Sequence, residues 1–326
     1  MDVDEGILKI LKAAMKLEAQ AYLYYYNSAQ KADLPEVRSL FMQLAEEERK
    51  HQRILFREYK FLKKTYLKDE KESMGKEQVS YSLPDDHRKL LWKAIPRIEG
   101  VDIAGLILPS QLFGGDFFDL YPLKGSHQSR SAFAVMFYDV MGHGMDTSII
   151  KSLFRASVEG PGVNLPFDES TGPSRLMTHL NRSYFEIPGT LNQIISASFA
   201  QYDPVDSILR YSVAGIEPPA LVRSGTGYHE FLFATDYSIG IEKKREYHER
   251  SLHVNSGDII FFYSDGLTEA ESPDGDFYGR ERAVEVIKNN KDKSSQELLL
   301  AILKDLRDFI SGNRLSDEMS LLLIKF

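Results

Sequence analysis

The sequence predicts an α+β protein in two parts: an N-terminal antiparallel helical hairpin, then a larger domain of mostly antiparallel sheets with helices. Three observations predict it. Residues 1–70 contain one Gly and one Pro, Gly6 and Pro35, so a helical pattern runs almost unbroken. From about residue 88, short apolar runs bounded by Gly, Pro and Asp replace that pattern. Several of these runs, between 195 and 262, follow one another with no helical stretch between them, whereas parallel neighbours need a crossover.

The first part divides at Asp33-Leu34-Pro35, where Pro35 suits the first turn of a new helix and Asp33 or Leu34 its cap. Helices are expected over about 6–31 and 35–68. Residues 69–87 are polar, with Gly75 and Pro84, and read as a connection. The expected domains are thus 1–70, a linker at 71–87, and 88–326. In the second part strands are expected at 101–107, 132–138, 195–200, 208–213, 258–263 and 319–324. Helical patterns fall at 145–157, 173–186, 279–289 and 295–311.

The 326 residues carry 40 Lys+Arg against 48 Asp+Glu, a formal charge of -8. A protein built around nucleic acid usually shows a basic excess, so that partner is not expected. Cysteine is absent, which excludes disulfides, thiolate zinc, iron–sulfur clusters and a cysteine nucleophile together. Any metal must be held by carboxylates and imidazoles. The Met1–Glu5 start is acidic with no apolar leader, and runs such as Ile259–Tyr263 are far too short to span a bilayer. A cytoplasmic protein with no membrane partner is the expectation.

In the second part acids recur where apolar strands meet small or turn residues: Gly114-Gly115-Asp116-Phe117-Phe118-Asp119, Tyr138-Asp139-Val140-Met141-Gly142-His143-Gly144, Ser264-Asp265-Gly266-Leu267-Thr268-Glu269, and Ser316-Asp317-Glu318. One Asp-Gly is ordinarily just a turn. Four such sites in one domain can converge at sheet ends, and clustered carboxylates repel unless a divalent cation sits among them. Oxygen ligands favour Mg²⁺ or Mn²⁺.

This ordered series resembles the bacterial PPM-type serine/threonine phosphatases of the SpoIIE/RsbU branch, over roughly 88–326. The flanks Ile103-Ala104-Gly105…Pro109 and Ala214-Gly215-Ile216-Glu217-Pro218-Pro219 match as well. The resemblance implies a PPM-type α/β sandwich with a two-metal centre of Mn²⁺ or Mg²⁺. Asp116, Asp139, Asp265 and Asp317 would be its metal-binding aspartates, and the Val140 carbonyl a further ligand. Two metals about 3.5–4 Å apart activate a water and clamp phosphoryl oxygens, so no protein nucleophile is required. Asp119 and Glu318 stand as candidates to orient the ligands or to hold a third metal, and His143 as a turn residue or a water-holding neighbour rather than a ligand. Two positions depart from the pattern: Ile216 replaces a polar residue, and Tyr138 a Gly.

The hairpin has its own anomaly. At about 100° per residue, Ile7, Leu11, Ala14, Ala21, Tyr22, Tyr25 and Ala29 lie within roughly 60° of Glu18, which puts an acid on the apolar face. On the second helix Glu48 and His51 fall in the stripe of Val37, Leu40, Phe41, Leu44 and Leu55. Buried ionisable groups are costly unless paired or metal-bound. Ferritin-like carboxylate sites take one Glu from each of two helices and Glu-x-x-His from each of the other two. Glu18, Glu48 and His51 are half of that set. The flanks Leu17-Glu18-Ala19…Tyr25-Tyr26 and Leu40-Phe41…Leu44-Ala45-Glu46-Glu47-Glu48…His51 are similar to the rubrerythrin branch of the ferritin-like superfamily. That resemblance implies half of a ferritin-like bundle, completed in a homodimer that could hold iron as a shared di-iron site.

The leading expectation is a metal-dependent phosphatase for phosphoserine or phosphothreonine on a partner protein, regulated by a metal-binding or dimerising hairpin. By family analogy the substrate would be an anti-anti-sigma (STAS-type) protein in a partner-switching pathway. The hairpin's influence would travel through the helix and linker at 56–95. The alternative makes the hairpin the chemistry, a di-iron oxidase or ferroxidase with a vestigial phosphatase-like binding domain.

Overall fold

The computed structural model describes residues 3–66, 95–108, 115–123, 132–140, 171–186, 194–233, 236–313, 315 and 317–326. The linker expected at 71–87 and the helix expected at 145–157 lie outside the described residues. Two long antiparallel helices open the chain, α1 (Val3–Lys31) and α2 (Pro35–Tyr66). Pro35 begins α2 as expected, and Arg38 Nη2 donates to the Ala32 carbonyl at 3.0 Å across the turn. Among the described residues no helix is long and apolar enough to cross a membrane.

Among the described residues, the rest folds around two five-stranded sheets in which every neighbouring pair is antiparallel. The strands are β1 (Asp102–Leu108), β2 (Asp116–Pro122), β3 (Phe133–Val140), β4 (Ile195–Asp203), β5 (Ile208–Ala214), β6 (Ala220–Val222), β7 (His229–Phe231), β8 (Arg250–His253), β9 (Ile259–Tyr263) and β10 (Met319–Lys325). One sheet runs β1-β10-β9-β6-β7, the other β2-β3-β4-β5-β8. Their inner faces meet through Phe118, Val135, Phe137 and Val213 from one side and Ile260, Phe262, Leu322 and Ile324 from the other. Phe137 stacks on Phe118 at 6.1 Å and on Phe262 at 5.9 Å, joining the two sheets.

Helices cover both outer faces. α3 (Pro173–Tyr184) lays Leu176, Met177, Leu180 and Tyr184 on the outer face of the β3–β4 sheet. The short α4 (Asp265–Thr268) follows β9 directly, and α5 (Arg280–Asn289) and α6 (Ser295–Ile310) cover the other sheet. A capping box starts α6: Ser294 accepts the Glu297 N–H, and the Glu297 carboxylate accepts the Ser294 N–H. The alternation of inner and outer side chains fixes which residues reach the sandwich interior, and thereby places the site.

On α2 the hairpin buries a different face from the one its apolar count selects, whereas on α1 Tyr22 and Ala29 of the expected face are buried. Val37 and Leu40, expected in the buried stripe, are exposed, and Phe41, Leu44 and Leu55 only half-buried. The deeply buried residues are Met15, Tyr22, Tyr26, Ala29, Ala45 and Tyr59, and most of them face the sandwich. Met15 and Tyr59 pack with Ile194 and Ile241, while Tyr22, Tyr26 and Ala45 pack with Phe233. Arg250 Nη1 donates to the Tyr26 hydroxyl at 2.6 Å. Tyrosine buries a large ring and keeps a polar tip, so a face rich in it bonds well to a second domain while reading as only moderately apolar.

Candidate active site

Period-two alternation brings acids from both sheets to one end of the sandwich. On β3, Val135 and Phe137 face the interior, so Asp139 does too; on β2, Phe118 carries Asp116 with it. The ladder sets Asp116 directly opposite Asp139. From the other sheet, Ile260 and Phe262 point inward and Ser264 continues their row, while Leu322 and Ile324 continue back through Ser320 to Glu318.

The result is a cluster of three buried carboxylates, Asp116, Asp139 and Glu318, with one oxygen from each lying within 4.8 Å of the others. Glu318 Oε1 accepts the Asp116 N–H at 2.6 Å. Asp317 stands one residue away, and its Oδ1 accepts the Glu318 N–H at 2.9 Å, fixing the backbone that presents Glu318. Asp265 opens α4 just past Ser264, and its charge acts on Asp116. Two glycines allow this convergence. A Cβ on Gly115 would strike the Val140 carbonyl, and one on Gly266 the Glu318 carbonyl. Gly266→Ala is therefore expected to cost about 1–3 kcal/mol of stability, read as a fall in Tm, and to separate Asp265 from Glu318 so that any metal-dependent turnover is lost. A variant that melts and turns over like the wild type would contradict that packing.

Burial pushes the Asp116 carboxyl well above the usual carboxylate range, and the negative charges of Glu318, Asp139 and Asp265 push it the same way; the Ser264 hydrogen bond opposes them. Like charges packed directly opposite across a ladder are unfavourable on their own. Hard oxygen donors in a like-charged, buried group are the donor chemistry that Mg²⁺ or Mn²⁺ prefers, so these residues fit a divalent cation.

The other residues singled out from the sequence fall elsewhere. Asp119 is three residues along β2 from Asp116, so it faces the outer side, where the Tyr121 hydroxyl donates to its Oδ2 at 3.4 Å. Tyr138 is also outward, packed on Phe117, so its departure from the family pattern leaves the inner cluster clear. Ile216 is buried in the interior between the sheets. His143 lies outside the described residues. Glu318 is the residue whose place the sequence understated; its inward position follows only once the register of β10 on β9 is known.

In the hairpin, Glu18, Glu48 and His51 do converge. His51 Nδ1 lies 3.3 Å from Glu48 Oε2 and 3.7 Å from Glu18 Oε2. Burial and the neighbouring Glu48 raise the Glu18 carboxyl above its ordinary range, with His51 opposing. The group is not sealed in the hairpin, as the helical-wheel reading expected: the His51 side chain is 53% exposed. Leu17 and Tyr24 on α1 and Leu40 on α2 are exposed.

Comparison with known proteins agrees with both parts. A family model described as Stage II sporulation protein E (SpoIIE) matches residues 129–326, and one described as Rubrerythrin matches residues 9–92. Phosphoserine phosphatase RsbU of Bacillus subtilis (strain 168) is 25% identical over 239 residues, 72% of this chain and 66% of that protein. The chain therefore spans slightly under two thirds of that relative's length. Among solved structures, the SiaA-PP2C domain of Pseudomonas aeruginosa aligns at 18% identity with a TM-score of 0.57, covering 68% of this chain and 85% of that one. The RsbU and RsbW domains of Rv1364c from Mycobacterium tuberculosis align at 20% identity and a TM-score of 0.56, covering 74% and 64%. At these identities the two structures establish the sandwich fold.

Proposed function

The chain belongs to the SpoIIE family, and on that premise we propose that it is a metal-dependent protein phosphatase hydrolysing phosphoserine or phosphothreonine on a partner protein. The observation that carries the reading is the buried trio Asp116, Asp139 and Glu318 at the inner end of the sandwich. Asp116, Asp139, Asp265, Asp317 and Glu318, with the Val140 carbonyl, would hold two Mn²⁺ or Mg²⁺ ions. Such ions, when bound, supply an activated water and neutralise the phosphoryl oxygens. The chain's own part is to fix the carboxylates from two sheets at one point, through the Glu318–Asp116 and Asp317–Glu318 hydrogen bonds. The relative named phosphoserine phosphatase RsbU supports the substrate class, and a phosphorylated STAS-type regulator is the partner we infer. Such a partner would be met in the cytoplasm. The test is phosphate release from an aryl phosphate and a phosphoserine protein with Mn²⁺, for the wild type and Asp265→Asn. Activity lost in the variant is expected; an inactive wild type with every phosphoprotein and aryl phosphate would sink the reading.

For the hairpin we propose a regulatory module that pairs with a second copy. Support comes from the half-set Glu18, Glu48 and His51 and from the exposed Leu17, Tyr24 and Leu40. A second hairpin would cover these side chains and complete a four-helix, two-metal site that could hold iron. Sedimentation at micromolar concentration is expected to show a dimer, tightened by Fe²⁺ and weakened by Glu48→Ala. A monomer with and without iron would remove the shared site. The competing oxidase reading, favoured by the same cluster, predicts iron-dependent oxidase activity that survives Asp265→Asn and is lost in Glu48→Ala.

A further inference from the structure

The hairpin meets the sandwich through the turn of α2 that also carries its candidate metal ligands. Glu48 and His51 form the half-exposed cluster, whereas Glu46 and Arg49 reach the second domain. Arg49 is buried, and its Nη2 pairs with Glu217 Oε2 at 3.2 Å; both side chains are less than a tenth exposed. Its guanidinium also lies 5.4 Å from the Phe233 ring centroid. Arg280 of α5 reaches Glu46 at 3.4 Å while lying over the Phe231 ring.

Glu217 precedes Pro218, whose carbonyl accepts the Tyr263 hydroxyl at 2.7 Å in a buried contact. Tyr263 is the last residue of β9. The next residue, Ser264, hydrogen-bonds the Asp116 carboxyl and accepts the Ser320 N–H at 3.0 Å, and Asp265 follows. Arg49 is therefore connected to the acid cluster by an unbroken series of named contacts: Glu217, the Pro218 carbonyl, Tyr263, Ser264, Asp116.

We propose that Arg49 and Glu217 are positioning residues for the metal centre: their ion pair seats the Ile216–Pro219 segment against the Tyr263 hydroxyl and thereby sets Ser264 and Asp265 against Asp116. This inference rests on reading the acid cluster as a metal centre. A buried ion pair is a poor source of net stability, because desolvation offsets most of its attraction. What it does supply is geometry. Apolar packing alone tolerates sliding, but a paired, desolvated guanidinium fixes where the loop stands relative to α2. The plain alternative is domain adhesion, in which the pair holds the hairpin on without influencing the cluster.

The experiment uses the full chain and Mn²⁺ alone, by titration calorimetry, with melting temperature and the kcat and KM for an aryl phosphate measured beside it. Arg49→Met is expected to weaken Mn²⁺ binding to the sandwich about 3- to 30-fold and to lower kcat while leaving KM nearly unchanged. Arg49→Lys, which keeps the charge, should recover most of the affinity. Tyr263→Phe removes only the hydroxyl on Pro218 and should reproduce the weakening, so it carries the test if Arg49→Met fails to fold. Wild-type Mn²⁺ affinity in both Arg49→Met and Tyr263→Phe, whatever their melting temperatures, would reduce the pair to adhesion and overturn the proposal. A wild type that binds no Mn²⁺ would overturn the metal-centre reading itself, and this inference with it.

Discussion

Asp139→Asn is expected to lower Mn²⁺-dependent phosphate release by about 100-fold or more while the protein stays folded. Loss of an outer-shell partner around a metal already costs about 10–100-fold, and Asp139 belongs to the inner group. It stands directly opposite Asp116 in the ladder and shares the carboxylate cluster with Glu318. Asn matches Asp in shape, so the ladder and the packing of β3 between β2 and β4 survive the change. What disappears is a negatively charged donor, which an amide oxygen replaces poorly toward a hard dication. The same logic ranks the neighbours. Glu318→Gln should approach the Asp139→Asn loss, since the Glu318 carboxylate is in the cluster and its Oε1 also holds the Asp116 N–H. Asp119→Asn should leave turnover close to wild type, because Asp119 faces the outer side of β2. Equal losses at Asp119 and Asp139 would contradict the placement of the centre between the sheets.

Asp116→Asn is expected to do two opposite things: abolish turnover and raise the melting temperature of the metal-free protein. Burial and the charges of Glu318, Asp139 and Asp265 hold the Asp116 carboxyl well above its ordinary range. The folded state thus binds this proton more tightly than the unfolded chain does. Asp116's stability contribution is full below the ordinary carboxylate pKa, about 3.9, and is lost as pH rises through the raised folded value. Without metal, the protein near neutral pH is consequently held back by its own site. An uncharged Asn relieves that repulsion, and gains of about 0.5–2 kcal/mol are typical when an active-site compromise is removed. Mn²⁺ should reverse the order. A ligand at 100 times its dissociation constant stabilises the binding-competent fold by about 2.7 kcal/mol, so the wild type gains on addition of Mn²⁺ and the variant gains little. Parallel Mn²⁺-induced shifts in both proteins would show that the metal binds elsewhere.

The sandwich was legible wherever strands are apolar on both faces. Ile259–Tyr263 and Met319–Ile324 announce themselves because each buries alternate residues in two cores, one between the sheets and one under α5 and α6. The strands that went unread are of another kind. Strand β2 begins on Asp116 and carries a second acid, β6 and β7 have three residues each, and β8 (Arg-Ser-Leu-His) is a polar edge. Such segments become strands because a neighbour's ladder is waiting, not because their own pattern asks for it. Asp116 and Asp139 could be picked out by their Gly and strand contexts, but the inward turn of Glu318 and the outward turn of Asp119 depend on register, which a single strand does not carry. In the hairpin, helical spacing picks out Glu18, Glu48 and His51 and puts Tyr22 on the apolar face, but it leaves Tyr26, Arg49 and Tyr59 off the buried faces. Their polar tips hide the fact that a second domain, absent from any one-helix projection, buries them.

Whether the acids gathered from both sheets form a metal centre that hydrolyses phosphoprotein is decided by a metal-restoration assay. Protein stripped with EDTA is incubated with a phosphoserine protein, and phosphate release is followed as Mn²⁺ or Mg²⁺ is titrated back. No release is expected in EDTA, with saturable recovery on added metal and no recovery in Asp139→Asn. Turnover that persists without metal, or recovery in Asp139→Asn equal to that of the wild type, would contradict such a centre.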